Sequence, residues 1–162
     1  MIKNNLLKIT FLILFVLFIS CNQSANERSW SNANNYYLNK DYNKCVVELT
    51  SILNNNNSNI LVPESLFLLS EIYMNEFEEY YIGIDYLDEI INDYPDNKLS
   101  KRALFTKAYV FANYLDMYTD AINLYEKFLN LYRHDELVSS VEYELKELYK
   151  YSQKIDELLK SN

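Results

Sequence analysis

Few side chains in this 162-residue chain could carry out chemistry, and their spacing argues against most of it. The sequence holds one histidine, His134. A catalytic triad or a histidine-based metal site needs partners for it, and no second histidine or pair of neighbouring cysteines supplies them. The two cysteines, Cys21 and Cys45, stand far apart in the chain. Carboxylates are abundant. Glu76, Glu78 and Glu79 crowd one predicted turn, and Asp85, Asp88 and Glu89 follow on one helical stretch. Two facing carboxylates can hydrolyse a glycosidic bond, so an acidic-site hydrolase is a remote alternative. Acids spread along helices read more simply as a solvated face. One Gly in the whole chain excludes phosphate-cradling loops and dinucleotide fingerprints. The run Asn54 to Asn57 reads as a polar loop. No cofactor, metal or catalytic residue is expected, nor a small-molecule substrate.

The elements that must position any site are helices. With one Gly and two Pro, a many-stranded sandwich or barrel lacks its turns. The 49% hydrophobic content, with 16 Tyr and 8 Phe, supplies a core for helix packing. Sliding the chain by 38 residues gives a gap-free match. Tyr42, Tyr80 and Tyr118 coincide, as do Val46, Ile84 and Ile122, then Ile52, Ile90 and Phe128. Ahead of them Phe67 matches Phe105 and Tyr73 matches Phe111.

Within each unit the apolar residues follow helical spacing. Ala121, Leu124, Tyr125, Phe128, Leu129 and Tyr132 form one face of a helix. Leu104, Phe105, Ala108, Phe111, Ala112 and Leu115 form another ahead of it. Each unit is therefore an antiparallel pair, helix A then helix B. Asp120 is the expected N-cap of the third B helix, and Pro95 stops the second. Cys45, Gly83 and Ala121 share one position near the start of B, where closely crossing helices leave room only for small side chains. Cys45 is thus expected to be a buried small hydrophobe.

The stretch Tyr36 to Cys45, with its aromatic pair, the Asp41-Tyr42 turn and the small residue, resembles the tetratricopeptide repeat (TPR). The resemblance runs from Ser29 to Asp135 as three repeats. It implies an all-α, right-handed superhelical solenoid of antiparallel helix pairs, with residues 136–162 as a capping helix or two. It also implies that A-helix positions line a concave groove for a partner's peptide or helix: Trp30, Asn34 and Tyr37 in repeat one, Leu68, Ile72 and Asn75 in repeat two, Val110, Asn113 and Tyr114 in repeat three. The basic clamp that reads acidic peptide termini in chaperone cofactors is missing.

Residues 1–20 read as a signal peptide, with Lys3 and Lys8 before the apolar run Ile9 to Ile19, too short to span a membrane. Phe18-Ile19-Ser20-Cys21 resembles a bacterial lipobox, which implies lipid attachment at Cys21. Asn22 after it leans toward the outer membrane. Residues 21–28 are then a tether reaching at most about 29 Å. Removing residues 1–20 takes the net charge from −8 to −10, against nucleic acid as a partner. A lipobox followed by such repeats is similar to the TPR lipoproteins of the bacterial envelope, among them the subunit of the outer-membrane β-barrel assembly machine. The expectation is an anchored, non-enzymatic scaffold binding other envelope proteins from the periplasmic face. A Tol-Pal-associated adaptor is the alternative.

Overall fold

Every regular element described in the computed structural model is an α-helix, over residues 25–55 and 60–160, with side chains described as far as Lys154. The chain divides into two units, residues 1–58 and 59–162. The first holds α1 (Ala25–Leu38) and α2 (Tyr42–Asn54), packed on each other. The second holds α3 (Val62–Asn75), α4 (Tyr80–Asp93), α5 (Lys98–Asn113), α6 (Tyr118–Leu131) and α7 (Val138–Lys160). In that unit each helix packs on the next in chain order, and α3 also touches α5. This is the all-α arrangement of a TPR-like solenoid. The segment after α6 is one helix of 23 residues, which resolves whether one or two helices follow the repeats. None of the described helices is long and apolar enough to cross a membrane.

Local sequence sets the helix ends. The Asp41 carboxylate accepts a bond from the Lys44 amide at 3.4 Å and pairs with the Lys44 ammonium at 2.6 Å, starting α2. Pro63 lies in the first turn of α3, where its missing N–H costs nothing. Asn97 caps α5 by accepting from the Leu99 amide at 2.8 Å. α4 ends at Asp93, two residues before Pro95, as the sequence requires. Asp120 is not the N-cap of α6. That position belongs to Met117, which has no side-chain cap, and Asp120 sits in the first turn. There its charge faces the positive end of the helix dipole. The reason is the 38-residue repeat itself, which starts each B helix at the tyrosines 42, 80 and 118.

The three turns between A and B share a backbone. Lys40, Glu78 and Asp116 all take the left-handed conformation, with φ of 58°, 56° and 55°. In repeats two and three the bonding repeats as well. The Glu79 amide donates to the Tyr73 carbonyl, and the Met117 amide to the Phe111 carbonyl, both at 2.8 Å. In repeat one the Asp41 amide instead reaches the Tyr36 carbonyl at 2.9 Å.

The small positions are buried, as their shared place in the repeat predicts: Cys45, Gly83 and Ala121 all lie in the interior. Burial pushes the Cys45 thiol up to about 11, so it is a protonated, enclosed group. In repeat three, Leu104, Ala108 and Ala112 of α5 join Ala121, Tyr125 and Phe128 of α6 and Val141, Leu145 and Leu148 of α7 in one core. Two ion pairs brace α5: Lys107 with Asp88 of α4 at 2.6 Å, and Lys101 with Asp135 ahead of α7.

α1 begins at Ala25, so residues 25–28 of the expected tether are already helical. The reason is local: Asn26 is buried and its amide donates to the Asn55 carbonyl at 3.2 Å, tying the start of α1 to the end of α2. Residues 1–24, Cys21 among them, lie outside the described residues, as does part of the Asn54–Asn57 run.

Candidate partner-binding face

The nine groove positions fall into two groups. Seven reach the surface at least in part. On α1, Trp30 and Asn34 are half-buried, and Tyr37 is exposed and meets Tyr42 edge-on, ring centres 5.8 Å apart. The Asn34 amide donates to the Trp30 carbonyl at 2.8 Å, within its own helix. On α3, Leu68 is half-buried and Asn75 exposed. On α5, Asn113 is exposed and donates to the Tyr109 carbonyl at 3.0 Å, while Tyr114 is 52% exposed.

The other two, Ile72 and Val110, are core residues, 0% and 4% exposed, and cannot line a groove. Their common position in the repeat explains this. Thirty-eight residues beyond Val110 stands Leu148, which is buried in the core that α7 shares with α6. The outward position is one residue earlier: Glu71 on α3, Tyr109 on α5 and Glu147 on α7. One residue turns a helix by about 100°, enough to exchange inside for outside. Position-by-position polarity carried the signal, since Ile72, Val110 and Leu148 are all apolar while Glu71 and Glu147 are charged. Tyr109 also stands four residues from both Phe105 and Asn113, along one helix face.

With Tyr109 included, an aromatic run crosses α5. Tyr80 of α4 lies 5.0 Å from Tyr114, and Tyr114 lies 6.2 Å from Tyr109 (centre to centre). Phe105 is 6.4 Å from Tyr109 and 5.9 Å from Tyr125. The run therefore leads from the exposed Tyr114 down to Tyr125 in the core. Tyr125 is fully buried, and its hydroxyl has no hydrogen-bond partner among the described residues. Its pKa is raised, first by burial and then by the nearby charges of Glu144 and Tyr109. Nearer the start of α5, the Arg102 guanidinium lies 4.7 Å over the Phe67 ring. Glu71 close by is raised by burial, an effect Arg102 opposes.

Residues 102–134 match the tetratricopeptide repeat family. The matched stretch is one helix pair, running from Arg102 in α5 to His134 just past α6, with Ala121 in its small position. It contains most of the aromatic run. No curated protein matches the chain. The flanking pairs extend the TPR pattern by their shared turn backbone and buried small residues, with a unit four residues longer than the usual repeat of about 34. Four residues are roughly one extra helical turn.

The acidic residues that an acidic-site hydrolase would need are spread along the turn before α4 and the helix itself. Glu76, Glu78 and Glu79 are all exposed at the turn between α3 and α4. His134 is exposed beyond α6. Among the described residues no three His, Cys, Asp or Glu side chains come together as a metal site. The arrangement offers a surface of tyrosines and amides on helix faces.

Proposed function

We propose that this chain is a non-enzymatic, protein-binding scaffold of the bacterial cell envelope, anchored through a lipid on Cys21 and presenting its A helices to a partner polypeptide. The observation that carries the reading is the exposed pair Tyr109 and Tyr114 on a TPR helix pair. Tyrosines are rigid, amphipathic anchors that dominate protein interfaces. The lipobox-like Phe18-Ile19-Ser20-Cys21 and the acidic charge support a site at a membrane without electrostatic adhesion to anionic lipid. Similarity to the envelope TPR lipoproteins points to outer-membrane protein assembly, on the periplasmic face of that membrane. The second reading is a Tol-Pal-associated adaptor of the cell-wall machinery.

One experiment tests the role. A photo-crosslinking amino acid at Tyr114, used in living cells and read by mass spectrometry, is expected to trap an envelope protein. Recovery of β-barrel assembly components supports the first pathway. Cell-wall or Tol-Pal components support the second. Recovery of only cytoplasmic proteins sinks the envelope reading. For the anchor, Cys21→Ala is expected to abolish labelling by palmitate and release the chain from membranes, and unchanged labelling would refute it.

A further inference from the structure

A hollow of about 450 Å³ opens between the α5–α6 turn and α7. Ala112 and Leu148, both almost fully buried, are its apolar lining residues. Two tyrosines, Tyr118 and Tyr151, stand against each other in its wall, ring centres 5.1 Å apart. Three carboxylates line it, Asp116, Glu144 and Glu147, and among the described lining residues there is no Lys, Arg or His. Two of the three have partners. Asp116 accepts from the Tyr118 hydroxyl at 2.6 Å, and Glu147 pairs with Lys150 at 2.6 Å along the exposed side of α7. Glu144 pairs with no described cation. Glu144 is partly buried, and both burial and the neighbouring Glu147 raise its pKa.

The repeat shows that the charge belongs to this place. One repeat earlier, the positions of Glu144, Glu147 and Tyr151 hold Thr106, Tyr109 and Asn113. There Tyr109 belongs to the aromatic run across α5. At the last repeat the same helix face carries two acids, and Asp116 adds a third from the turn.

Resting on the reading of this chain as a protein-binding scaffold, we propose that the hollow takes a single basic side chain, Arg or Lys, of the partner polypeptide. A cation of that length would place its stem on Ala112 and Leu148 and its head among the carboxylates. The rings of Tyr118 and Tyr151 would supply cation–π attraction. Charge complementarity of this kind fixes register and partner choice more than it adds raw affinity. The tyrosine surface of α5 would hold the partner, and the hollow would select a segment carrying a positive charge.

The test uses the full chain and a fluorescent, end-blocked pentapeptide, Ala-Ala-Arg-Ala-Ala, with its citrulline counterpart as the neutral isostere. The Arg peptide is expected to bind weakly and to loosen as salt rises. Citrulline, or the double variant Glu144→Gln and Glu147→Gln, is expected to weaken binding by about tenfold or more. Circular dichroism keeps the variant's fold in view, and Glu144→Gln alone serves if the pair disturbs it. Equal binding of the two peptides, no loss in the variant, or no binding at all overturns the proposal. So does displacement of the peptide by stoichiometric calcium, which would make the hollow an inorganic cation site. Crosslinking at Tyr114 in the double variant separates the two levels. Partner capture that persists unchanged removes the hollow and leaves the scaffold standing, whereas no capture in either protein removes the scaffold.

Discussion

Met74 occupies the space that a side chain on Gly83 would need. A Cβ on Gly83 would stand 2.3 Å from Met74 Cγ and 3.0 Å from the Ser70 carbonyl oxygen. One repeat later the pair is Ala112 and Ala121, both buried in one core. The larger residue on A is matched by the smaller on B, so the crossing keeps its closeness with different side chains. Gly83→Ala should therefore destabilise by about 1–3 kcal/mol through overpacking, less the ~1 kcal/mol that Ala gains over Gly in a helix. Adding Met74→Ala should relieve the strain, so the double variant should lose less than the two single losses together. Urea unfolding followed by circular dichroism measures both, and a Gly83→Ala protein more stable than its parent would show that the close approach is not needed.

The left-handed turns predict a gain. Glu78 is an ordinary side chain at φ 56°, a conformation that costs an L-residue roughly 1–2 kcal/mol and costs Gly little. Among the described residues, no hydrogen bond to its carboxylate offsets this cost. Glu78→Gly should raise stability by about 1 kcal/mol, since the extra freedom of Gly in the unfolded chain takes back part of the relief. Asp116→Gly should gain less, because the Asp116 carboxylate accepts from the Tyr118 hydroxyl. A fall in the unfolding midpoint of Glu78→Gly would mean the turn is held by contacts that its side chain makes.

Much of this fold was legible in the sequence because the repeat superimposes residues that share one environment. The scarcity of Gly and Pro, the shared tyrosines 42, 80 and 118, and the small positions 45, 83 and 121 all pointed to helix pairs, and helix pairs are present. What failed was finer than a helical turn. Ile72 and Val110 lie inside, since a groove position inferred from a family resemblance fixes a helix face only to within a residue. A unit of 38 rather than about 34 adds a turn that shifts that correspondence. Asp120 has the side chain of a cap, but the start of α6 is set by the turn backbone at Asp116 and the Met117 bond to Phe111. The hollow beside α7 was not legible at all, because it needs Asp116 and Glu144 brought together from segments 28 residues apart in sequence.

Acid should loosen the joint between α5 and α7. Lys101 holds the Asp135 carboxyl below its usual range, with the Leu137 amide, 3.0 Å from Asp135 Oδ1, as the second cause. A carboxylate with a depressed folded pKa adds stability that is present above its unfolded value, near 3.8, and is lost as pH falls through the folded value. Asp135→Asn should thus be less stable than the parent at neutral pH, and the gap should close below about pH 4. Thermal melts at stepped pH give the comparison. A gap that stays constant down to pH 2 would assign the loss to packing.

The exchange of inside for outside along α5 and α3 gives the sharpest separation of binding from folding. Tyr109 is 38% exposed and Tyr114 more so, whereas Ile72 is enclosed on all sides. Truncating a fully buried Ile removes its transfer energy and leaves a cavity, so Ile72→Ala should cost about 2–5 kcal/mol and lower the melting temperature. Tyr109→Ala with Tyr114→Ala removes rings that are 38% and 52% exposed, so helicity should hold and the melting temperature should fall by less than in Ile72→Ala. The same double variant should lose most partner capture, because interface tyrosines often carry about 2 kcal/mol or more each. Circular dichroism and pull-down from crosslinked cells read the two effects side by side. If the tyrosine variant melts as early as Ile72→Ala, the aromatic run from Tyr114 to Tyr125 is a support for the core, and the binding face must be sought on other helices. If it keeps its fold and loses its partner, the exposed end of that run is the contact surface and its buried end is what holds the tyrosines in place.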